Sequence, residues 1–406
     1  MLRDSMTTTS TYQSTLEWLF AQTRGGAPRH VGRMQALMTQ LGLASPPNVV
    51  HVVGTNGKGS VSAMLAAAHT AAGVRTGRFL SPHIEEFRER VAVDGRWIGK
   101  AEVLEFVNTL PCPLDPQPAF FELTLALALH HFARAGTEWA VVEAGVGARH
   151  DATRALSNVR SVLITNVGRD HLDTLGPTLR EVAYDKADAI RPGVPTLTAV
   201  EGEALTIITE VAARRRSPLF FSTPQSPLFA LPVEVPEAPP TYARNQRLVA
   251  AALRLQGLPE GAICRGLSAS LPARTERFRI AGREVILDGA HNPAAASALL
   301  EHTRPPFVLL FGALPKKLGA ETLSVLAPHA QTTILTDAAP GAASTLGRAR
   351  LTFVPNALEA LNEALARLGD AQQLVIAGSF YLAGELRPRL LELSSNLPKT
   401  PSSEVG

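Results

Sequence analysis

The sequence predicts an α/β protein built from two domains. Strand-like and helix-like runs alternate along most of the chain, which is typical of a mostly parallel sheet with helices on both faces. A glycine-rich loop at residues 54–60 separates an apolar β-type run from an alanine-rich helical run. A second alternating series starts near Arg283, and 406 residues are more than one average domain needs.

Each element of the first series has a local signal. The apolar run 49–53 predicts a strand, and 61–72 predicts the helix after the glycine loop. Pro177 and Thr178 are a start signal for a helix that reaches about residue 190. Residues 217–241 are rich in proline and predict a surface segment or a short irregular strand pair. The remaining predictions are helices at 122–135, 245–255 and 259–270 and strands at 139–143 and 161–165.

The second series predicts a smaller, Rossmann-like α/β domain. The change of domain is expected between residues 270 and 278, after the last helix of the first series, and we place the domains at 1–273 and 274–406. Helical runs separate the strands of this second domain. Its strands are predicted at 284–288, 307–311, 332–336, 351–354 and 374–377.

Composition restricts the class of protein. A hydrophobic fraction of 45% and a charged fraction of 18% favour a large core over global disorder. The formal net charge is +3, without the basic stripe and interleaved aromatic residues of a nucleic-acid-binding surface. Cys112 and Cys264 fit no metal-binding spacing and indicate a reducing compartment. Because no signal-peptide pattern or membrane-length apolar run occurs, we expect a cytoplasmic protein with neither nucleic-acid nor membrane partners.

The glycine-rich loop has the composition of a phosphate cradle. Its glycines let backbone N–H groups approach phosphates, and the following helix adds positive potential at its N-terminus. Lys58 can neutralise the terminal phosphates of a nucleotide. The spacing differs from the ordinary P-loop, because no glycine lies five residues before Gly57 and because Gly59 separates Lys58 from Ser60. The loop therefore predicts a P-loop-type nucleotide domain from a particular branch of ATP-using proteins.

Polar side chains follow several predicted strands, at the edge where parallel sheets place ligands. Ser81 follows an apolar turn, Glu143 ends a strand, and His171 comes shortly after the next strand. A hydroxyl, a carboxylate and an imidazole from three strand ends can converge as Mg²⁺ ligands beside a triphosphate. The ordinary interpretation is a solvated or capping glutamate and a hydrogen-bonded histidine, and imidazole is an unusual magnesium ligand.

Lys186 lies in the middle of a predicted helix. Its ordinary interpretation is a solvated lysine that pairs with Asp185 or Asp188 on the same helix.

Ten short motifs occur in an order that resembles one family, folylpolyglutamate synthase/dihydrofolate synthase of the Mur ligase superfamily. The resemblance runs from about His30 to Glu385. The motifs are the loop 54–60, Ser81-Pro82-His83, Phe121-Glu122, 143–147, 151–153, 164–168, Asp170-His171, 175–178, 288–293 and 378–385.

This resemblance implies Mur ligase architecture, with an ATP- and folate-binding central domain at 1–273 and a C-terminal ligase domain at 274–406. It implies a cytoplasmic, monomeric enzyme of folate biosynthesis and one-carbon metabolism that uses ATP and Mg²⁺. The carboxylate of dihydropteroate or of a reduced folate attacks the γ-phosphate of ATP, and the amine of L-glutamate then attacks the acyl phosphate. We predict both glutamate-adding activities; the alternative is folylpolyglutamate synthase activity only.

The resemblance also assigns roles residue by residue. The ATP phosphate cradle corresponds to Thr55, Asn56, Gly57, Lys58, Gly59 and Ser60. The other nucleotide contacts correspond to Asn245, Arg274, Asp288 and His291. The metal positions correspond to Ser60, Ser81, Glu143, His171 and Lys186, the last as a carbamate, which is an anion. The implied catalytic residues are Lys58, Glu143, His171 and Lys186. The segments lining the pterin site correspond to Ala119, Phe120, Phe121, Glu122, His150, Asp151 and Ala152.

The sequence departs from the family pattern at four places. His150 stands where the family has an aliphatic residue. Thr241-Tyr242 replaces a His-Gln pair upstream of Asn245. Ala273 replaces the glycine before Arg274, with Arg277 as a rival arginine nearby. Pro315-Lys316-Lys317 replaces Asp-Lys-Asp, so two carboxylates of the second domain are lost.

Two other classes of protein are weighed against a ligase. A P-loop ATPase or kinase would carry strict P-loop spacing, which the sequence lacks. A non-catalytic nucleotide-binding protein would not need the set formed by Lys58, Glu143, His171 and Lys186. ADP release that depends on both a pteroate-type acid and glutamate would distinguish the ligase from both.

Overall fold

The computed structural model describes residues 11–23, 28–223, 226–315, 318–338, 351–369 and 373–395. Within it, the chain divides after Ser270 into two compact units. Lys316 and Lys317, the departure from the family pattern in the second domain, lie outside the described residues.

The first unit is organised around a mostly parallel sheet. In its described part, eight strands run in the order β4-β3-β2-β5-β1-β6-β7-β8. The strand pairs β2–β5, β5–β1, β1–β6, β6–β7 and β7–β8 are parallel. Strands β3 and β4 add the antiparallel pairs β2–β3 and β3–β4 at one edge. The strands are β1 Asn48–Val53, β2 Thr76–Phe79, β3 Val91–Val93, β4 Arg96–Trp97, β5 Trp139–Glu143, β6 Val159–Ile164, β7 Thr196–Thr198 and β8 Leu219–Phe221.

Helices cover both faces of this sheet. Strand β1 shows this directly, because Val49 packs into one hydrophobic cluster while Val50 and Val52 pack into another. Burial on both faces gives the continuous apolar runs by which central parallel strands are recognised in a sequence. The helices are α1 Tyr12–Ala21, α2 Val31–Gln40, α3 Lys58–Ala71, α4 Lys100–Thr109, α5 Phe120–Arg134, α6 Leu172–Leu175, α7 Leu179–Ala187, α8 Gly202–Arg214, α9 Pro240–Leu255 and α10 Glu260–Leu267.

The start predicted for helix α9 is wrong. The helix was expected to begin at Asn245, but it begins at Pro240, where proline occupies the first turn. Proline is well suited to that position because its missing N–H would have no helical partner there. Asn245 therefore lies inside the helix.

The hairpin β3–β4 was not predicted from the sequence. Its turn contains Asp94 and Gly95, both with positive φ, at 50° and 77°. An Asp-Gly pair with left-handed backbone is the preferred two-residue connection between antiparallel strands. The region 217–241 contains β8 and a short 3₁₀ turn, Pro227–Phe229.

The second unit is a smaller α/β sheet, with strands in the order β13-β12-β11-β14-β10-β9 in its described part. The first strand, β9, pairs antiparallel with β10 and overlaps the interval 270–278, where the sequence predicted only a domain boundary. The other pairs are parallel. The elements are β9 Glu276–Ile280, β10 Arg283–Leu287, α11 Pro293–Leu300, β11 Phe307–Phe311, α12 Gly319–Leu326, β12 Ala330–Leu335, β13 Thr352–Phe353, α13 Ala357–Ala366, β14 Gln373–Ala377 and α14 Phe380–Ser395.

Among the described residues, no helix has both the length and the apolar character needed to cross a membrane.

Candidate active site

The glycine-rich loop lies between the end of β1 and the start of α3, as strand–loop–helix phosphate sites require. Gly57 caps α3 with a left-handed backbone, φ 79°. A Cβ atom on Gly57 would lie 2.8 Å from Nδ2 of Asn245, so the bare glycine lets this asparagine lie against the loop. The structure thus brings together two predicted nucleotide residues from distant parts of the chain.

The segment after β6 holds the loop from the other side. Oδ1 of Asn166 accepts hydrogen bonds from the backbone N–H groups of Thr55 (3.1 Å) and Asn56 (2.7 Å). The hydroxyl of Thr165 donates to the Asn56 carbonyl at 2.6 Å. The Thr55 hydroxyl donates to the carbonyl of Gly168 and accepts from its N–H. Sequence reasoning gave Thr165 and Asn166 no role, although both belong to a recognised motif.

Two lysines reach carbonyls of the same loop. Nζ of Lys58 donates to the Thr55 carbonyl at 3.1 Å, and Nζ of Lys186 donates to the Gly54 carbonyl at 3.0 Å. Burial, followed by the positive charge of Lys58, lowers the pKa of Lys186 from its ordinary value to about 7. A buried amine with a lowered pKa is a common feature of functional sites.

The ordinary interpretation of Lys186 as a solvated lysine is wrong, because only 2% of the residue is exposed. Its helix neighbours face other partners. Asp185 accepts from the Ala148 N–H at 2.7 Å, and Asp188 pairs with Arg149 and Arg215. These contacts fix the end of α7 against the segment that follows β5.

Glu143 and Ser81 meet at the ends of adjacent strands. Strand β2 pairs with β5, and the Ser81 N–H donates to Oε2 of Glu143 at 3.2 Å. The carboxylate is almost fully buried, so it is a candidate ligand and not a solvated strand-end residue.

His171 follows β6 in a left-handed conformation, φ 51°, next to buried Asp170. Its N–H donates to Oδ1 of Asp170 at 2.9 Å, and its Nε2 lies 3.9 Å from the same oxygen. Within the described ranges, no cluster of three or more His, Cys, Asp or Glu side chains has a metal-binding arrangement.

Asp151, predicted to line the pterin site, is the centre of a buried network. Oδ2 accepts from the Val146 N–H at 3.0 Å and pairs with Arg29 at 3.2 Å. Oδ1 accepts from the hydroxyl of Thr153 at 2.6 Å, and that hydroxyl lies 2.8 Å from Nε2 of His51. Burial, and then the charges of nearby arginines, lower the pKa of His51 to about 3, so its imidazole is neutral.

Glu122 and Phe121 differ in what they offer a substrate. Oε2 of Glu122 accepts from the Ala119 N–H at 2.6 Å, and its other oxygen lies 3.8 Å from Arg33, so the carboxylate mainly fixes the start of α5. The half-buried ring of Phe121 lies against Gly145, where a Cβ atom would come within 2.8 Å of it. His150 is exposed and Ala152 is buried.

In the second unit, Asp288 follows β10 and is held by three donors. Oδ2 accepts from the Thr275 N–H (2.7 Å) and hydroxyl (3.2 Å), and Oδ1 accepts from the Ala290 N–H (2.8 Å). Burial raises the pKa of Asp288, although these hydrogen bonds and the charge of Arg274 act in the opposite direction.

Arg274 and His291 share one aromatic neighbour. The guanidinium of Arg274 lies 4.7 Å from the ring centroid of Phe380, and the His291 ring makes an edge contact with it at 5.6 Å. Phe380 had no predicted role, although it lies in a recognised motif. The rival arginine, Arg277, pairs instead with Glu284.

Two family profiles match the chain: "Mur ligase middle domain" at residues 52–200 and "Mur ligase, glutamate ligase domain" at residues 273–380. The first covers the phosphate loop and the strand ends around it, and the second begins at the turn that carries Arg274. The fold and these matches define a Mur ligase.

Similar proteins narrow the class of Mur ligase. A folylpolyglutamate synthase of Lacticaseibacillus casei is 30% identical over 386 residues, covering 84% of this chain and 90% of that protein. A probable bifunctional folylpolyglutamate synthase/dihydropteroate synthase of Haloferax volcanii is 34% identical over 83% of this chain. The chain belongs to the folylpolyglutamate synthase/dihydrofolate synthase family. It spans about half the length of some relatives, 45% in the Haloferax volcanii protein.

A solved structure of the family has the same fold. It is a bifunctional folylpolyglutamate synthase/dihydrofolate synthase with Mn, AMPPNP and L-glutamate bound. It is 27% identical, with a TM-score of 0.84, and the match covers 94% of this chain and 98% of that one.

Proposed function

We propose that this protein is an ATP-dependent carbon–nitrogen ligase that joins L-glutamate to dihydropteroate and to the γ-carboxylate of reduced folates. Membership of the family supports the reaction type. The AMPPNP, Mn and L-glutamate bound to the related structure support ATP, a divalent metal and glutamate as ligands.

One observation carries the proposal: buried Lys186 donates to the Gly54 carbonyl of the phosphate loop, beside Lys58. A phosphate loop alone is compatible with any nucleotide-dependent reaction. Lys186, a buried lysine that contacts the first residue of this loop, occupies the position that the resemblance assigns to a carbamate.

The chemistry requires activation of a carboxylate, whose oxygen is a poor leaving group. The substrate carboxylate oxygen attacks the γ-phosphorus of ATP, the bond to the β,γ-bridging oxygen breaks, and ADP leaves. The glutamate nitrogen then attacks the acyl carbon, loses a proton, and displaces inorganic phosphate. In this scheme Lys58 and the N–H groups at the start of α3 bind the phosphates and compensate their charge.

The residues present fit a divalent metal in their chemistry. The hydroxyls of Ser60 and Ser81 and the carboxylate of Glu143 are oxygen donors of the kind Mg²⁺ prefers, and His171 supplies a nitrogen. When bound, such an ion neutralises phosphate charge. Ser81, Glu143 and His171 would hold it from the ends of β2, β5 and β6.

We also propose that Lys186 carries a carbamate. A neutral amine adds to CO₂ and releases one proton, which leaves a carbamate anion on the side chain. The lowered pKa of Lys186, about 7, supplies neutral amine near neutral pH. The anion would give α7 an oxygen donor beside the phosphate loop, whereas the ammonium could not bind a cation.

The remaining assignments complete the proposal. We assign ATP and folate binding to the central domain, 1–273, with Ala119–Glu122 and His150–Ala152 lining the pterin site. The contacts with adenine, phosphate and ribose are assigned to Asn245, Arg274, Asp288 and His291, of which the last three belong to the domain 274–406. The resemblance also implies a monomer, which size-exclusion chromatography with light scattering would test.

A product assay tests the proposed function. Dihydropteroate and tetrahydrofolate are offered separately with ATP, Mg²⁺ and L-glutamate, and products are identified by mass spectrometry. We expect one added glutamate on dihydropteroate, further glutamates on tetrahydrofolate, and ADP release only when both the acid and glutamate are present. Elongation of tetrahydrofolate alone would reduce the proposal to folylpolyglutamate synthase, and ATP hydrolysis indifferent to both substrates would exclude a ligase.

A further inference from the structure

The turn that carries Arg274 has an unfavourable backbone. Ala273 and Thr275, on either side of the arginine, have φ values of 51° and 54°. Residues with a Cβ atom rarely adopt this left-handed conformation, because the Cβ atom then lies too close to the following carbonyl oxygen. Ala273 is also fully buried, so the turn persists only because surrounding contacts hold it.

Two carboxylates hold the turn from opposite sides. Oε2 of Glu276 accepts from the N–H of Ala273 at 2.9 Å. Oδ2 of Asp288 accepts from the N–H of Thr275 at 2.7 Å. The Ala273 carbonyl in turn accepts from the Gly289 N–H at 2.9 Å. Arg274 therefore projects from a segment whose backbone is fixed on both flanks.

Glu276 is itself fixed by a residue on the last helix. Nε of Arg387 lies 2.8 and 3.0 Å from the two carboxylate oxygens of Glu276, and its Nη2 lies 2.7 Å from Oε1. Both side chains are about four-fifths buried. A bidentate pair of this kind fixes orientation as well as charge, so Oε2 stays directed at the Ala273 N–H.

We propose that Glu276 and Arg387 are positioning residues that hold Ala273 in its left-handed conformation and thereby fix the orientation of Arg274, which is assigned to nucleotide binding. The inference rests on the proposed function for the role of Arg274. Ala273 needs the support of Glu276 and Arg387 because an alanine at positive φ is strained, whereas a glycine at the same position would not be.

The test measures the affinity of the full chain for ADP with Mg²⁺ by isothermal titration calorimetry. It therefore requires no turnover. Arg387→Met leaves the carboxylate free to rotate towards solvent and the turn free to relax. We expect ADP binding to weaken about tenfold. Binding within about twofold of the unsubstituted protein, with circular dichroism showing an intact fold, would overturn the proposal.

Rescue separates positioning from general stability. Ala273→Gly removes the strain, so the double variant Ala273→Gly/Arg387→Met should bind ADP within about threefold of the unsubstituted protein. If the pair only anchors α14, the glycine will not restore binding, and the proposal fails. Should Arg387→Met not fold, Glu276→Met, which removes the acceptor of the Ala273 N–H, serves in the same pair of measurements with the same two outcomes.

Arg277→Gln is the matched control. It also removes an arginine–carboxylate pair, between Arg277 on β9 and Glu284 on β10, and the Arg277 side chain binds Glu284 and the His302 carbonyl rather than the Ala273 turn. ADP binding should be unchanged; equal weakening in this variant would contradict a specific role for Arg387. Loss of ligase activity without loss of ADP binding concerns the proposed function and leaves the positioning result intact.

Discussion

At the residue scale, burial gives Lys186 its properties. An exposed lysine in water stays protonated at neutral pH, whereas removal from water disfavours the charged form. The neighbouring ammonium of Lys58 acts in the same direction, while Asp185, Asp170 and Asp151 oppose it. The outcome is an amine that is readily deprotonated beside the phosphate loop.

Lys186→Ala should lower kcat by about 10²-fold or more, because the proposed anion beside the phosphates is lost. Bicarbonate or a short carboxylate such as acetate should partly restore turnover by occupying the vacated volume. Steady-state assays of ADP formation measure both effects. Lys186→Arg is the control: it keeps a cation but forms no carbamate, and it should stay inactive with or without acetate. Full activity in Lys186→Ala would contradict the proposed carbamate.

His51 should make stability depend on pH. Its pKa is about 3 in the folded protein because of burial and of the charges of Arg191 and Arg154, whereas in the unfolded chain it titrates near its ordinary value. The unfolded state thus binds one more proton below about pH 6.5, so folding stability falls as the pH is lowered. The stability that His51 contributes is fully present above this range.

The expected loss is about 2 kcal/mol between about pH 7 and about pH 5. His51→Gln keeps a hydrogen-bonding partner for Thr153 but removes the titration, so its stability should fall less over this interval. Urea unfolding followed by tryptophan fluorescence measures the difference, and Trp18, Trp97 and Trp139 all report on the first unit. Equal falls in the two proteins would contradict the assignment.

At the element scale, helix α3 offers two comparable glycines. Gly57 precedes the helix and Gly73 follows it, with φ values of 79° and 80°. A Cβ atom on Gly57 would meet Asn245, whereas one on Gly73 would enter open space. The two positions therefore share backbone strain and differ in what surrounds them.

Alanine at either glycine should lower the free energy of unfolding by about 1–2 kcal/mol, because both positions need left-handed backbone. Only Gly57→Ala should also raise the KM for ATP, by about tenfold, because Asn245 and the loop must separate. Urea unfolding and steady-state kinetics on the two variants make the comparison. A similar rise in KM for Gly73→Ala would show that strain alone, and not contact with Asn245, accounts for the effect.

At the scale of the whole molecule, each unit is an α/β sheet with its own candidate residues, and 94% of the chain matches a family member solved with AMPPNP. A ligand that binds only the folded state stabilises it according to its concentration relative to Kd. Nucleotide binding should therefore raise the free energy of unfolding by a measurable amount.

AMPPNP with Mg²⁺ at 100 times its Kd should raise the free energy of unfolding by about 2.7 kcal/mol. Lys58→Met should abolish most of this increment at the same concentration, since the phosphate loop loses the ammonium group that is proposed to bind the phosphates. Lys100→Met is the control: this lysine lies over the ring of Tyr12, and its loss should leave the increment unchanged. An undiminished increment in Lys58→Met would contradict the role of Lys58.

The local features of this protein can be predicted from its amino-acid sequence. The glycine loop with its flanking runs predicts a strand, a phosphate cradle and a helix, because each is encoded within about ten neighbouring residues. Continuous apolar runs likewise identified β1, β5 and β11. The order of the short motifs was enough to recognise the family. The misplaced start of α9 and the missing β9 show the limit, since an element's boundary depends on what its first residues pack against.

Contacts between distant side chains depend on the tertiary fold. Lys186 looked solvated because helix periodicity says nothing of a carbonyl 132 positions earlier in the chain. Three other contacts could not be predicted from the sequence either. They are the contact of Asn245 with Gly57, the pairing of Arg29 with Asp151, and the link from Arg387 through Glu276 to Ala273. Each depends on the packing of strands and helices far apart in sequence. Local patterns report burial and conformation, whereas hydrogen bonds between distant residues require the fold that brings them together.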